Sequence, residues 1–397
     1  MIEVTAKLIR GHVFLSGEIV ECIVSFSHPI LPSHKIAQSN MEMFESLAWA
    51  SAQIHCQCST DSKIAKTKDT DKSIIHAVLA DTSLGTNITG DNSKVDLTTK
   101  PKILFCDLRL LPGQVKHYVY REKIPTDYPP SYRGQLVKYS YKITIGTQRV
   151  NSPVKLMRVP IRVLPVVADV LLHEAGALCN ETTEELLAPT TPFLEMRRQK
   201  ETPIDLALES LQNITARRNP NFYMISNTWG KVARFCLFKS AYKLGEDIIG
   251  TFDFTVATVR CVQLSVSLQC EEETTIDPTQ TAVSDNSKQV RIITYSKHHE
   301  VCLGYTYTQL ILPIPLHVTP AFVTDLVSLK WRLHFEFVTS THKTLNMFNA
   351  IESAWQAPPE IPIETMIWSL PIRLYSTTPI HVAQGVQGVT VHKLIIR

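Results

Sequence analysis

No stretch of this 397-residue chain is apolar for the roughly 18 to 20 residues that a membrane-spanning helix needs. The most apolar segment, Val159–Leu172, is broken by Pro160, Arg162, Pro165 and Asp169. Charge of one sign is missing as well: 40 Lys and Arg against 37 Asp and Glu leave a net charge of +3. That field is too weak to make nucleic acid or an anionic membrane the main partner, and protein partners or small ligands remain. A secretory leader is not expected, because Met1–Arg10 alternates Ile2, Val4, Ala6 and Leu8 with Glu3, Thr5 and Lys7 and reads as a first strand. The nine cysteines form an odd set without a compact framework, scattered through apparent strands at Cys22, Cys56, Cys106, Cys261 and Cys270. Such usage belongs to the reducing cytosol, where the Asn-x-Thr triplets at Asn87, Asn180 and Asn213 are chance matches.

Catalytic motifs are lacking too. Gly85 and Gly90 have P-loop spacing, but Asp91 and Asn92 follow where Lys and Ser or Thr would hold phosphate and magnesium. There is no glycine-flanked serine nucleophile, and His173-Glu174 runs only into Ala175, Gly176 and Ala177. Cys56 and Cys58, two apart on an apparent strand, point to one face as metal ligands would. Two further ligands are missing from any recognisable spacing, so the pair reads as buried thiols, and neither metal nor cofactor is expected. His298, His299 and Glu300 beside Cys302 read as solvated loop rather than as a metal or pH-sensing site. Pro129-Pro130-Ser131-Tyr132 fits the Pro-Pro-x-Tyr pattern taken by WW domains. Its counterpart Pro320-Ala321-Phe322 in the other half makes Tyr132 a core residue at a strand entrance instead.

What is abundant is period-two alternation, the pattern of a strand with one buried and one solvated face. Val137, Tyr139, Tyr141, Ile143 and Ile145 alternate with Lys138, Ser140, Lys142 and Thr144. The same holds for Val262 to Cys270 and for Leu329 to Phe337. The halves also match in order. Phe14, Gly17 and Glu18 correspond to Tyr242, Gly245 and Glu246; Ile124, Pro125, Pro130 and Tyr132 to Ile314, Pro315, Pro320 and Phe322; and Val159-Pro-Ile-Arg-Val163 to Leu370-Pro-Ile-Arg-Leu374. Collinear matches of this kind predict an all-β chain of two tandem antiparallel β-sandwich domains related by duplication.

The expected division is an N-terminal sandwich over 1–170 with a mobile loop at 59–100, a linker over 171–230, a C-terminal sandwich over 231–376 with a loop at 271–290, and a tail over 377–397. One helix is predicted in the linker near 203–214: Thr202 as cap, Pro203 at the first position, then Ile204, Leu208 and Leu211 on one face. A helix this short needs its apolar stripe docked, either in the cleft between domains or on a partner. The tail alternates and ends in Leu394, Ile395 and Ile396, suited to strand addition with an extended peptide. Ile204, Leu208, Leu211, Leu394, Ile395 and Ile396 are therefore the candidate partner-binding residues.

A two-sandwich chain with a Pro-x-aromatic entrance to a long alternating strand in each half resembles the arrestin fold. Five blocks are similar to the Rgp family, the Rgp subunits of the Ric–Rgp guanine-nucleotide exchange complex of retrograde Golgi transport. They are Lys102–Leu110, Arg133–Tyr139 continuing through Gly146 and Arg149–Pro153, Thr191–Glu195, Phe238–Glu246 and Ser328–Ser340. The resemblance spans Met1 to about Tyr375 outside the two long loops. It implies a non-catalytic subunit that acts with the larger Ric subunit on a Golgi Rab GTPase of the Rab-six type, a cytosolic protein placed peripherally on the Golgi membrane, with the flexible Rab tail as one extended peptide the chain's own tail could take. The alternative is an arrestin-like cargo-sorting or ubiquitin-ligase adaptor, which requires an accessible Tyr132 or a primary peptide groove.

Overall fold

The computed structural model describes residues 1–30, 44–60, 93–166, 203–275, 289–341, 360–385 and 391–396. Two compact units divide the chain. One takes in Met1–Val166 and Thr378–Arg397, the other Val167–Thr275 and Lys288–Thr377.

In the first unit a four-stranded sheet runs β21 (Val391–Ile396), β1 (Ile2–Leu8), β3 (Ile19–Ser27), β7 (Val115–Lys123), each pair antiparallel. The facing sheet runs β2 (Val13–Leu15), β10 (Lys155–Leu164), β9 (Val137–Gln148), β4 (Glu45–Thr60), β5 (Ser93–Thr98), with β6 (Lys102–Leu110) on β4 and β8 (Tyr132–Arg133) on β9. In the second unit the sheets are β11 (Asn221–Asn227), β12 (Gly230–Leu237), β14 (Asp247–Asp253), β17 (Tyr307–Pro313), and β13 (Ala241–Lys243), β20 (Glu364–Tyr375), β19 (Val327–Ser340), β15 (Arg260–Thr274), β16 (Val290–Val301), with β18 (Phe322–Val323) on β19. Two helices complete the described residues, α1 (Pro203–Ala216) and α2 (Pro379–Gly385). The fold is all-β in two units, antiparallel as the alternation predicts except where β2 joins β10 and β13 joins β20 in parallel.

Alternation is what builds the cores. In β1 the odd-numbered residues stay partly exposed while Ile2, Val4, Ala6 and Leu8 are buried. Leu264, Val266, Leu268 and Cys270 on β15 face Phe337, Phe335, Leu333 and Trp331 on β19, one inner face pairing row by row. Phe335 stacks on Trp368 at 4.7 Å, and Phe235 on Phe252 at 4.6 Å, pairs worth about 0.5 to 1.5 kcal/mol each beyond their buried area.

The repeat is reproduced bond by bond. Gly17 and Gly245 adopt φ of +87° and +82°, the left-handed region that glycine enters without a Cβ penalty. Their N–H groups donate to Ile124 O and Ile314 O, and the carboxylates of Glu18 and Glu246 accept from Leu15 N and Lys243 N at 2.8 and 2.9 Å. Tyr141 Oη donates to Pro129 O at 2.7 Å, and Trp331 Nε1 to the matching Thr319 O at 3.1 Å.

Several boundaries differ from the sequence reading. Within the 59–100 loop, β4 continues to Thr60 and β5 occupies Ser93–Thr98; residues 61–92 lie outside the described ones. The loop at 271–290 is shortened because β15 runs to Thr274 and β16 starts at Val290. The linker's last part, Asn221–Asn227, is β11, the first strand of the second unit. The tail over 377–397 is instead α2 and β21, folded with the first unit, where β21 gains a strand partner. His298, His299 and Glu300 lie on β16, not in a loop; as an edge strand, β16 leaves its side chains largely solvated and so carries a loop-like composition.

Candidate partner-binding surfaces

Helix α1 docks on its own unit. Leu211 is buried against Tyr375, with Leu208, Ile214 and Ala241 packed around them. Lys239 Nζ donates to Thr215 O at 3.1 Å, a cation satisfying a carbonyl of the helix's last turn. Of the three candidates on this helix, Leu211 is thus spent on the core, Leu208 largely so, and Ile204 is half-buried.

Strand β21 pairs with β1 over six positions, from Ile2 opposite Ile396 to Lys7 opposite Val391. Ile396 is buried, Leu394 half-buried and Ile395 exposed. Arg149 Nη2 donates to Ile396 O at 3.5 Å, and Lys393 pairs with Glu3 at 3.0 Å. The strand addition expected of this segment is made within the chain. It also fills the position that β11 fills beside β12 in the second unit.

The motif residues resolve simply. Tyr132 is 5% exposed, and Ser131 is fixed to Val163 by its N–H and its Oγ, so the Pro-Pro-x-Tyr segment is built into the first unit. Cys56 and Cys58 are both buried. Among the described residues no three His, Cys, Asp or Glu side chains are grouped to hold a metal ion. No helix among them is long and apolar enough to cross a membrane.

What distinguishes the surfaces is the outer face of each sheet. On the first unit's smaller sheet, successive rows read Ile395-Glu3-Ser27-Val115, Lys393-Thr5-Ser25-His117 and Val391-Lys7-Ile23-Val119. Apolar groups there alternate with ion pairs, including Arg121 with Glu21 at 2.8 Å. The outer face of its larger sheet holds the polar cluster Gln53, His55 and Thr144, all buried. Nε2 of His55 accepts from the Gln53 amide at 2.6 Å and Nδ1 donates to Thr144 Oγ1 at 3.0 Å, which requires a neutral ring. Burial, assisted by the Arg158 and Lys142 charges, lowers the His55 pKa to about 4.

In the second unit the larger sheet is covered by ion pairs: Lys330 with Glu273 at 2.9 Å, Arg332 with Glu271 at 3.0 Å. Its smaller sheet is different. The rows are Met224-Arg234-Asp253-Tyr307 and Phe222-Cys236-Thr251-Gln309, followed by Phe238, Ile249 and Ile311. Phe222, Met224, Ile249, Tyr307 and Ile311 are all exposed. Sequence reading missed these residues, although a signal existed: Phe222-Tyr-Met-Ile225 and Tyr307-Thr-Gln-Leu-Ile-Leu312 are uncharged on both faces.

Two β-sandwich units, each built of one four-stranded and one larger sheet, define an all-β, two-unit class of protein. A family model described as Rgp1 matches residues 35–170 and 176–340, and the chain belongs to that family. A human protein named RAB6A-GEF complex partner protein 2 is 43% identical over 388 residues, 96% of each chain. A bovine protein of the same name is 44% identical over 382 residues, 94% of this chain and 93% of that one.

Proposed function

We propose that this chain is a non-catalytic subunit of a guanine-nucleotide exchange complex that acts, together with a Ric subunit, on a Golgi Rab GTPase of the Rab-six type in retrograde and intra-Golgi transport. In this reading the chain is cytosolic and reaches the Golgi membrane through the complex. The observation that carries it is 43% identity across 96% of a relative named as a partner in a RAB6A-GEF complex. Exchange needs no covalent chemistry: a factor that favours the nucleotide-free GTPase lets GDP leave and the more abundant GTP enter. A sandwich scaffold serves this by holding and orienting the subunit that contacts the nucleotide domain. The adaptor alternative loses one of its two possible supports, since Tyr132 is 5% exposed.

GDP release from the Golgi Rab is the test, measured with this chain alone, the Ric subunit alone, and both co-expressed. Acceleration only with both supports the reading. Acceleration by this chain alone would overturn the division of labour, and none with the complex would overturn the function.

A further inference from the structure

We infer that the outer face of the β11-β12-β14-β17 sheet is where this chain docks on the larger subunit of its complex, through an uncharged, apolar surface of that subunit. The inference rests on the proposed function for the existence of that subunit; the face itself is read from the geometry.

The two units supply an internal comparison, because each builds the same four-stranded sheet. Where the first unit's outer face interleaves its apolar groups with Glu3, Lys393, Lys7, Glu21 and Arg121, the second presents Phe222, Met224, Ile249, Tyr307 and Ile311 to solvent. In its three central rows the only charges are Arg234 and Asp253, paired with each other at 2.7 Å, so the face has no net charge to match. Solvation of the fold does not demand this composition, as the first unit demonstrates. Phe, Tyr, Met and Arg are the types enriched in the buried centres of protein interfaces, where Lys and Glu are depleted.

Size favours a protein occupant. Four strands about 4.8 Å apart and three rows about 6.8 Å apart give a patch of about 400 Å². A standard interface buries about 800 Å² per partner, with an apolar centre and a polar rim. The patch therefore supplies such a centre, and Lys231 and Asp247 at its margins begin the rim. An anionic membrane would call for Lys and Arg on the face. An extended peptide would use a strand edge, not the middle of a sheet.

The experiment introduces a charge where the fold tolerates it, at Ile311→Asp and separately Phe222→Asp, with Val119→Asp on the first unit's matching face as control. Each full-length variant is co-expressed with the Ric subunit and complex recovery is measured by affinity capture of Ric; each is also unfolded thermally, and the free chain is sized by light scattering. Expected is at least a tenfold loss of complex for the two second-unit variants, with unchanged unfolding, and normal recovery for Val119→Asp. Hydrogen exchange of the wild-type complex should show β11 and β17 protected relative to the free chain, a readout independent of how the variants fold. Wild-type recovery with either second-unit variant, or no protection of β11 and β17, overturns the docking face while leaving the proposed function standing. Failure of the unsubstituted chain to assemble with Ric at all overturns that function and the docking with it. A free chain that is dimeric, and that Ile311→Asp renders monomeric, assigns the face to a second copy and likewise overturns the proposal.

Discussion

Replacing Ile396 by Ala tests whether the last strand is structural. Ile396 is 3% exposed and sits opposite Ile2 at the end of β21, whereas its neighbour Ile395 is 47% exposed on the other face. A buried Ile→Ala change costs about 2 to 5 kcal/mol. Ile396 lies on the edge strand of its sheet, where its surroundings collapse easily, so the lower limit of about 2 kcal/mol applies. Ile395→Ala should stay within about 0.5 kcal/mol, as for a surface site. With an m value of about 2 kcal/mol/M in urea, Ile396→Ala lowers the first unit's unfolding midpoint by about 1 M. Trp49, whose Nε1 donates to Gln148 Oε1 at 2.7 Å on the first unit's larger sheet, reports that transition by fluorescence. Because a one-residue slip exchanges the two faces of a strand, equal effects at 395 and 396, or a larger one at 395, would refute the pairing of β21 with β1.

The duplicated turn predicts that Gly17→Ala and Gly245→Ala each destabilise their own unit by about 1 to 2 kcal/mol, since both glycines hold a left-handed φ; urea titration resolving two transitions checks that each variant shifts only one. His55 has a folded pKa of about 4, below its unfolded value of 6.5, so the unfolded chain takes up the proton first as pH falls. Its neutral state contributes full stability above pH 6.5, and about 3 kcal/mol is lost progressively down to pH 4. The stability difference between the wild type and His55→Gln should narrow by that amount over this window, and a pH-independent difference would count against the buried neutral ring. Cys261 and Cys302 have sulfurs 3.3 Å apart and are both buried, and the Cys261 pKa is raised by its hydrogen bond with Cys302 and by burial. In the native protein, maleimide should label the exposed Cys106 quickly and leave these two for the denatured state; mass spectrometry of quenched samples decides.

Strands with one wet and one dry face were legible in the sequence, and β9, β15 and β19 lie where their alternation placed them. Strand β11 was not, because Phe222 and Met224 on its outside are as apolar as Tyr223 and Ile225 inside, which removes the period-two contrast. Strand β5 was hidden for the opposite reason, Ser93–Thr98 being polar and continuous with a polar segment. Helix α1 was visible from its apolar spacing, but its docking on Tyr375 was not, since nothing local to Leu208 and Leu211 names a residue so far along the chain. The alternation of β21 was equally plain, and its partner equally hidden: pairing of Ile396 with Ile2 is a property of the whole fold. The docking face depended on knowing which strands adjoin, for Phe222, Cys236, Thr251 and Gln309 become one row only in the sheet.

The duplication makes the two edges of the smaller sheets comparable, and the comparison carries a consequence. In the second unit β11 joins β12 through a tight turn at Asn227–Gly230, so the edge forms from local chain. In the first unit the same position beside β1 waits for β21, almost the full chain length away. Loop-closure entropy grows only logarithmically, so the longer closure costs about 4 kcal/mol more in an otherwise unfolded chain, and less once the intervening second unit has folded. The local hairpin therefore forms readily, while the first unit's edge is completed most easily after the second unit is in place. Until then β1 presents an unpaired edge and Ile2, Val4 and Ala6 lack part of their cover, the kind of exposed strand that invites wrong pairing. A strand returning from beyond the second unit thus makes the finished first sandwich conditional on synthesis through Ile396, a dependence the self-contained second unit does not share.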